Sequence, residues 1–229
     1  MVSSHQAPPD DLQQPLELDP ADWEARQVYL LMTGLVVPRP IAWVSTRSPA
    51  GVRNVAPHSY FNMVSAAPPH IVFSSTGEKD TLRNIRASGE FVVNLVTMDV
   101  VEEMNFTAAD LPPDEDEFTW AGLREAPAAR VAAPRVAQAR AHLECHLVDV
   151  VAVGANFLVV AEVVHVHVDP TVWVDGRVDP VRYQPVCRLS GTAYAPIGEV
   201  FRLPRQRWAE IRVSPPGASI PRREAPGRP

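Results

Sequence analysis

Two long valine-rich stretches, residues 142–151 and 156–168, limit most strongly what this chain can fold into. β-Branched residues favour strands, and only Ala152-Val153-Gly154-Ala155 separates the two stretches. A parallel pair would need a crossover of about a dozen residues or more, so the two strands are expected to be antiparallel neighbours. The sequence therefore predicts a long β-hairpin within an antiparallel sheet.

Four shorter segments before this hairpin have the same strand-like composition. They are residues 41–45, 52–56, 70–74 and 90–96. The turn Ser48-Pro49-Ala50-Gly51 joins the first two, which predicts a second hairpin. Many strands joined at close intervals predict a mainly β fold with flanking helices, arranged as a closed or nearly closed antiparallel barrel.

Two segments have helical periodicity. The first begins at Asp19 or Asp22 and ends before Pro38, because proline cannot donate to the helical ladder. The second covers residues 80–87 and stops at Gly89, a residue suited to a helix C-terminus. Both helices are expected to flank the barrel.

Length and composition indicate one domain. The chain has 229 residues, of which 46% are hydrophobic and 21% charged, enough for one sizeable core. We expect a loose arm at residues 1–19, the domain at residues 20–203 and a solvated, proline-rich basic tail at residues 204–229. Residues 110–117 and 127–140, rich in proline, are expected to form loops or short helices around the barrel.

Charge and hydropathy exclude several classes of function. A formal net charge of -6 provides no basic field that would attract nucleic acid. No apolar run reaches the roughly 18 residues of a membrane span, and residues 1–11 lack the pattern of a secretory signal. Cys145 and Cys187 form no motif and are expected to be buried thiols. We therefore expect a cytoplasmic protein that acts on small molecules.

A hydroxyl-rich turn follows the predicted strand at residues 70–74. Its residues are Ser74, Ser75, Thr76, Gly77, Glu78, Lys79, Asp80 and Thr81. Open N–H groups at the start of the following helix favour an anion, the hydroxyls add hydrogen bonds, and Lys79 adds a charge. The turn therefore predicts a phosphate site. The alternative is structural: Thr76 or Asp80 caps the helix, and the serines are turn residues.

A second polar stretch is Asn54-Val55-Ala56-Pro57-His58-Ser59-Tyr60-Phe61-Asn62. Its small and polar residues interrupt what is otherwise a strand followed by a helix. Backbone amides at residues 56–59 would be left open to a polar ligand. The alternative is an irregular turn imposed by Pro57.

These motifs belong to an ordered series that resembles one known family. The series is Arg39-Pro40-Ile41-Ala42-Trp43-Val44-Ser45-Thr46, the stretch 54–62, Pro68-Pro69, Lys79-Asp80-Thr81, Asn84-Ile85, Glu90-Phe91-Val92-Val93-Asn94-Leu95, and Arg188-Leu189-Ser190-Gly191 with Tyr194. In this order and spacing it resembles the flavin reductase-like, FMN-binding split-barrel family. The resemblance is dense at residues 37–95 and thinner from there to residue 194.

The resemblance implies where a flavin would bind. The isoalloxazine would lie against Ser45, Thr46, Asn54, Ala56, Pro57, His58 and Ser59. The phosphate would be held by Ser75, Thr76, Lys79 and Thr81, within a binding segment that also includes Ser74 and Asp80. FMN is the expected cofactor and FAD the alternative. The resemblance also implies a homodimer with flavin sites near the subunit interface.

The activity implied by the resemblance is hydride transfer from NADH or NADPH to the flavin, which then passes electrons to an acceptor or a partner oxygenase. The sequence has no glycine-rich dinucleotide fingerprint, so the nicotinamide would stack only transiently over the flavin. No catalytic side chain is predicted, because the cofactor performs the chemistry. One alternative is an FMN-binding electron-transfer protein without nicotinamide turnover.

Histidines in the long hairpin suggest another alternative. They are His142, His146, His165 and His167, at alternate positions on two strands, with Glu144 between the first two. Alternate residues share a face of a strand, and paired His-x-His strands can supply the ligands of a catalytic zinc or iron site. The competing interpretation places these histidines outside, opposite a face that includes Cys145. A third option brings one of them near the flavin or nicotinamide.

Overall fold

The computed structural model describes residues 15–213, which fold mainly into β-structure. The strands are β1 (Ala42–Arg47), β2 (Arg53–His58), β3 (Phe61–Ala66), β4 (Pro69–Thr76), β5 (Glu90–Leu95), β6 (Glu125–Ala126), β7 (Arg135–Val136), β8 (Ala141–Val153), β9 (Asn156–Val168), β10 (Trp173–Val174), β11 (Arg177–Val178), β12 (Val186–Arg188) and β13 (Tyr194–Pro196). The helices are α1 (Ala25–Leu35), α2 (Asp80–Ser88), α3 (Val101–Phe106), α4 (Glu117–Trp120), α5 (Pro180–Tyr183) and α6 (Trp208–Ile211).

One seven-stranded antiparallel sheet organises the fold, in the order β2-β1-β5-β8-β9-β4-β3. The remaining short strands form three two-stranded pairs at its periphery. The prediction of a mainly β, antiparallel fold with flanking helices is confirmed. None of the helices in residues 15–213 is long and apolar enough to cross a membrane.

Both predicted hairpins are present. β1 and β2 pair in continuous register, and Gly51 in their turn has a φ of 87°, which favours glycine. β8 and β9 pair from Ala141↔Val168 to Val153↔Asn156. Their turn is therefore shorter than the four-residue connection expected from the sequence, because both strands extend into it.

Helix α2 packs on one face of the sheet. Leu82 and Ile85, the two residues predicted to face inward, are fully buried against strand residues such as Val44 and Phe73. The helix ends at Gly89, as predicted. Gly89 has a φ of 73°, and its N–H donates a hydrogen bond to the Ile85 carbonyl oxygen. This packing fixes the N-terminus of α2 beside the end of β4.

The opposite face of the sheet has a second core around Trp43. The Trp43 side chain is fully buried with Phe118 of α4 and Val136 of β7. Its indole Nε1 donates to the Thr107 hydroxyl oxygen at 2.9 Å. Residues 101–136 are thereby attached to this face. The expectation of loops or short helices at residues 110–117 and 127–140 is correct apart from the two-residue strand β7.

The first helix begins later than predicted. Residues Pro20–Asp22 form a single 3-10 turn, in which the Asp19 carboxylate accepts from the Ala21 amide. The chain then becomes extended, and α1 starts at Ala25. Asp19 therefore caps the short turn and not the helix.

Arg39 lies just after α1 and is buried there, with 6% of its surface exposed. Its guanidinium donates to the carbonyl oxygens of Thr33 and Val36 at the end of α1, and to the Leu189 carbonyl oxygen. The charge therefore faces the negative end of a helix dipole and not a carboxylate. Arg39 joins α1 to the segment that follows β12.

The segment after β2 is a strand and not the expected helix. β3 pairs with β4, and Phe61 packs into the core against strand partners such as Phe73. β3 and β4 are joined by only Ala67 and Pro68, and their pairing as a hairpin overrides the local pattern of the stretch 54–62. β3 forms one edge of the sheet and β2 forms the other.

The termini are only partly covered by the structure. Residues 15–19 of the predicted arm have no regular secondary structure, and α6 gives the predicted tail a single helical turn. The rest of the predicted arm and tail, residues 1–14 and 214–229, lies outside the described residues. The division into arm, domain and tail stays a prediction.

Candidate functional site

A cleft of about 390 Å³ opens where β2 ends and α2 begins. Its predicted ligand-binding residues are Asn54, Ala56, Pro57, His58, Thr76, Lys79, Asp80 and Thr81. Residues 107–117, which we call the covering segment, supply the opposite wall. The structure thus brings parts of both predicted motifs, the hydroxyl-rich turn and the stretch 54–62, to a single site.

The N-terminus of α2 faces this cleft without a side-chain cap. Lys79 occupies the N-cap position with extended backbone angles, and no side chain accepts from the first helical amides. The structural alternative, in which Thr76 or Asp80 caps the helix, is therefore wrong. Uncapped amides and the positive end of the helix dipole make this end of the cleft suitable for an anion.

Lys79 provides a cation at the same end of the cleft. Its Nζ lies 2.6 Å from Oδ1 of Asp110 on the covering segment, and both side chains are exposed. The Lys79 ammonium lowers the pKa of the Asp110 carboxyl through this hydrogen bond and its charge. An incoming anion would therefore compete with Asp110 for Lys79.

Neighbouring carboxylates on this side of the cleft are neutralised by arginines. Arg83 pairs with Asp80 within the first turn of α2, and Arg86 pairs with Glu78. Among the residues that line the cleft, Lys79 is then the cation whose partner, Asp110, comes from the covering segment. Exposed pairs of this kind contribute little to stability, so Lys79 can exchange one partner for another at a low cost in free energy.

A buried polar network supports the cleft from behind. The Asn54 Oδ1 accepts from the hydroxyls of Thr46 and Thr81, at 3.2 and 3.0 Å. Its Nδ2 donates to Glu117 at 2.9 Å. Thr46 is thus a supporting residue beneath the cleft, and the network fixes Asn54 and Thr81 where β2 meets α2.

Glu117 is a site residue that the sequence did not indicate. Its carboxylate is buried, accepts from the Val55 backbone amide at 3.2 Å, and lines the cleft from α4. Burial raises the pKa of Glu117 above its ordinary value, although its hydrogen bonds from Val55 and Asn54 oppose the shift. In the sequence, Glu117 lies between an acidic loop and an apolar helix. Many surface glutamates have the same setting, so this pattern does not identify a site residue.

His58 contributes an aromatic ring to the lining of the cleft. Its ring lies 4.7 Å from the Phe73 ring, between centroids, and its Nε2 is buried without a hydrogen-bond partner. Burial lowers the pKa of His58 to about 4, with a smaller contribution from the charge of Lys79. Interaction with the Ser74 backbone opposes this shift. The ring is therefore neutral at pH 7 and has an unused nitrogen beside the cleft.

The lowered pKa of His58 predicts a loss of stability in acid. The unfolded chain binds a proton near the ordinary value of about 6.5, so His58 contributes stability above that pH and loses it as the pH falls towards 4. The unfolding free energy of the natural chain should fall between pH 7 and pH 4.5. We expect the fall in His58→Phe to be smaller by roughly 1 to 3 kcal/mol. Denaturant unfolding at both pH values measures this difference.

A matched control for this prediction is His146→Phe. His146 is exposed on β8, so its replacement should leave the pH dependence of the unfolding free energy unchanged. Equal acid sensitivity in the natural chain and the His58 variant would contradict the burial of a neutral His58.

The remaining predicted residues lie outside the cleft lining. Ser45 is on the opposite face of β1, where its hydroxyl donates to the Pro134 carbonyl oxygen and accepts from Asn94. Ser75 donates to the Gly77 carbonyl oxygen within the turn, and Ser74 lies in β4 with its amide bonded to Tyr60. Ser59 is half-buried in the turn before β3. The sequence motif alone did not separate these residues from those that line the cleft.

The histidines of the long hairpin are on the face of the sheet opposite α2. The registers Ser45↔Val92, Val92↔Glu144 and Glu144↔His165 place this row on the Ser45 side. His142 and Glu144 are buried there, so the expectation that the histidine face is exposed is wrong for these positions. Residues 127–136 cover them, a long-range contact that strand periodicity does not reveal.

Comparison with known proteins identifies relatives over most of the chain. The family model described as "Flavin reductase like domain" matches residues 33–182. An uncharacterized protein of Halalkalibacterium halodurans is 40% identical over 210 residues, covering 86% of this chain and 100% of that protein.

Two solved structures resemble the fold closely. Nitrilotriacetate monooxygenase component B from Bacillus cereus has a TM-score of 0.82 and 36% identity, with 83% of this chain and 100% of that chain covered. The 2-nitrobenzoate 2-nitroreductase NbaA of Pseudomonas fluorescens has a TM-score of 0.79 and 30% identity, with coverage of 84% and 98%.

Proposed function

This chain belongs to the flavin reductase-like domain family, and from that membership we propose that it is an oxidoreductase that transfers hydride from NADH or NADPH to FMN bound in the cleft. One observation carries the proposal. A single cleft is lined by the uncapped N-terminus of α2, by Lys79 and by the neutral ring of His58. A phosphorylated cofactor with a polar heteroaromatic ring has groups that suit both an anion site and an aromatic wall.

The residues present fit a flavin. The cleft volume of about 390 Å³ lies in the range of roughly 300 to 1,000 Å³ that is typical of cofactor pockets. The α2 amides, Lys79 and Thr76 would hold the phosphate, while β2 and His58 would contact the ring. Ser45, which points away from the cleft, is not part of this proposal.

A bound flavin supplies the redox chemistry by accepting a hydride equivalent, so the protein needs no nucleophile. The role of this chain is to bind the flavin, to orient it and to adjust its redox properties. Neutral His58 can offer one ring nitrogen as a hydrogen-bond partner without adding a charge, and the Asn54 network keeps β2 and α2 at a fixed separation. The open side of the cleft leaves room for a transient nicotinamide.

FAD is the second candidate for the same cleft, and a specific feature favours testing it. A neighbouring groove of about 760 Å³ shares Asn54, Asp80, Arg83, Pro113 and Glu117 with the cleft. The groove therefore continues past the proposed phosphate position and offers space for the adenosine part of FAD. Equilibrium titrations with FMN and FAD distinguish the two, since only a ligand that fills the groove gains affinity from it.

Anaerobic mixing with reduced nicotinamide tests the proposed activity. We expect the absorption band of bound flavin near roughly 450 nm to bleach on addition of NADH or NADPH, because the cofactor accepts hydride. The rates with the two nucleotides, compared under identical conditions, give the donor preference. Stopped-flow absorption measures both.

Two negative outcomes of this experiment have different meanings. If flavin binds and is reduced by dithionite but by neither nicotinamide, the chain is an electron-transfer flavoprotein, the alternative considered from the sequence. If neither FMN nor FAD binds, the proposed function is wrong.

The relatives also suggest the kind of partner to test. One solved structure is component B of a monooxygenase, which supports the proposal that reduced flavin passes to an oxygenase. Apolar side chains exposed on α1, among them Tyr29, Leu30, Met32 and Leu35, support the proposed homodimer. Sedimentation analysis of the purified chain measures that assembly directly.

A further inference from the structure

Glu144, His165 and His167 form a compact cluster that the proposed flavin chemistry does not use. Each offers one donor atom, and these three atoms lie within 4.8 Å of one another. The cluster is on β8 and β9, whereas the cleft begins at β2, three strands from β8 in the sheet. Strand spacing of about 4.8 Å puts roughly 14 Å between those strands, and the cluster is on the opposite face.

Glu144 provides a fixed negative charge at the centre of this cluster. Its side chain is fully buried, and its carboxylate accepts from the amides of Ala129 and Arg130 at 2.7 and 2.6 Å. Burial by itself raises the pKa of Glu144, but these amides and the His167 ring outweigh it and lower that pKa. The carboxylate is therefore ionised and its orientation is fixed by the backbone.

The two histidines of the cluster are only partly buried. Nε2 of His167 lies 2.5 Å from Oε1 of Glu144, and 24% of the His167 side chain is exposed. The His165 ring packs edge-on against the His167 ring, with 4.7 Å between centroids. Two imidazoles thus meet an ionised carboxylate at a position that solvent can reach.

His142 adds an independent observation at this site. It is 4% exposed, and its Nε2 contacts the Val136 carbonyl oxygen at 2.9 Å, which assigns the proton to Nε2. Its Nδ1 is then a buried acceptor without a partner. The His142 ring is 6.0 Å from the His167 ring, between centroids, so a buried imidazole with an unpartnered nitrogen lies beside the cluster.

The arrangement matches the ligand chemistry of divalent transition metals. Two histidine nitrogens and one carboxylate oxygen are a common protein ligand set for zinc and for non-haem iron, with the remaining positions open to water. A metal ion would take the place of the proton between Glu144 and His167 and draw in His165. The backbone amides of Ala129 and Arg130 would then orient the ligating carboxylate.

We propose that Glu144, His165 and His167 form a divalent transition-metal site that binds zinc on the β8–β9 hairpin, separate from the proposed flavin cleft. The proposal does not depend on the proposed redox activity. Its consequence for the protein is added stability of the folded state when the metal is bound.

Zinc binding to the chelator-treated, tag-free full chain tests the site. We expect one zinc ion per chain, measured by titration against a chromogenic chelator, and a rise in thermal unfolding temperature with zinc. His165→Ala should weaken zinc binding at least about tenfold, because it removes one of three ligands and leaves the Glu144 hydrogen bonds in place. His146→Ala, an exposed histidine on the same hairpin, should bind zinc like the natural chain.

A second variant guards against a folding defect. His165→Gln keeps a side chain of similar reach without the imidazole and should show the same weakening, with an unchanged circular dichroism spectrum. Absence of zinc binding to the natural chain would overturn the proposal. Equal zinc affinity of the natural chain and both His165 variants would also overturn it, because the ion would then be bound elsewhere.

Discussion

FMN is expected to bind the Lys79→Ala variant about tenfold to a hundredfold more weakly than the natural chain, a loss of roughly 1.5 to 3 kcal/mol. Lys79 stands at the uncapped N-terminus of α2, where it adds a charge to hydrogen bonds that backbone amides alone can make. Fluorescence titration of FMN with the purified variant measures the effect.

Two controls make this result specific for the phosphate. Riboflavin lacks the phosphate, so its affinity should be the same for the natural chain and the Lys79 variant. Arg177→Ala removes an exposed cation of β11, outside the cleft lining, and should leave FMN affinity unchanged. A similar loss for riboflavin and FMN would contradict the assignment of Lys79 to the phosphate.

Asp110→Asn tests the same contact with the opposite sign. Asp110 holds Lys79 through an ion pair across the cleft, so its neutralisation should free the ammonium and tighten FMN binding. An exposed pair contributes little, so the gain is expected to be only a few-fold. Weaker FMN binding by this variant would show that Asp110 itself holds the ligand.

Replacement of Arg39 by alanine is expected to reduce the unfolding free energy by about 3 to 5 kcal/mol. The guanidinium donates to three carbonyl oxygens, of Thr33, Val36 and Leu189, and is almost fully buried. Truncation would leave these acceptors without their charged donor and would remove the link between α1 and the segment after β12. Chemical denaturation monitored by circular dichroism measures the loss.

Arg47→Ala is the matched control. Arg47 is only half-buried and bonds to the Gly51 carbonyl oxygen and to Glu125, so its loss should cost less than about 1 kcal/mol. Equal destabilisation by the two substitutions would contradict a special role for the buried arginine.

Elements determined by local sequence were predicted closely. Residues 80–87 were assigned to a helix ended by Gly89, and the observed helix differs by one residue, because apolar spacing and a left-handed glycine both act locally. The long hairpin was predicted for a similar reason, since β-branched composition and a short connection admit only one pairing. The family resemblance then correctly identified the split-barrel fold.

Features that depend on contacts with other segments were not predicted. The strand β3 is determined by its pairing with β4, which its own pattern does not encode. The burial of His142 is determined by residues 127–136, which precede β8 and cover it. Glu117 was missed because its partners, Asn54 and Val55, are more than 60 residues earlier in the chain.

The covering segment is held by buried residues at both ends, whereas its middle is exposed and bonds to α2 through the Lys79–Asp110 ion pair. Thr107 is buried and bonded to the Trp43 indole, and Glu117 is buried and bonded to β2, whereas residues 108–110 and 112–115 are exposed. Movement of Asp110 away from Lys79 therefore requires no disruption of either core. Ligand affinity and global stability are consequently separable properties of this chain, and substitutions within residues 108–115 can adjust how readily the cleft is filled without weakening the fold.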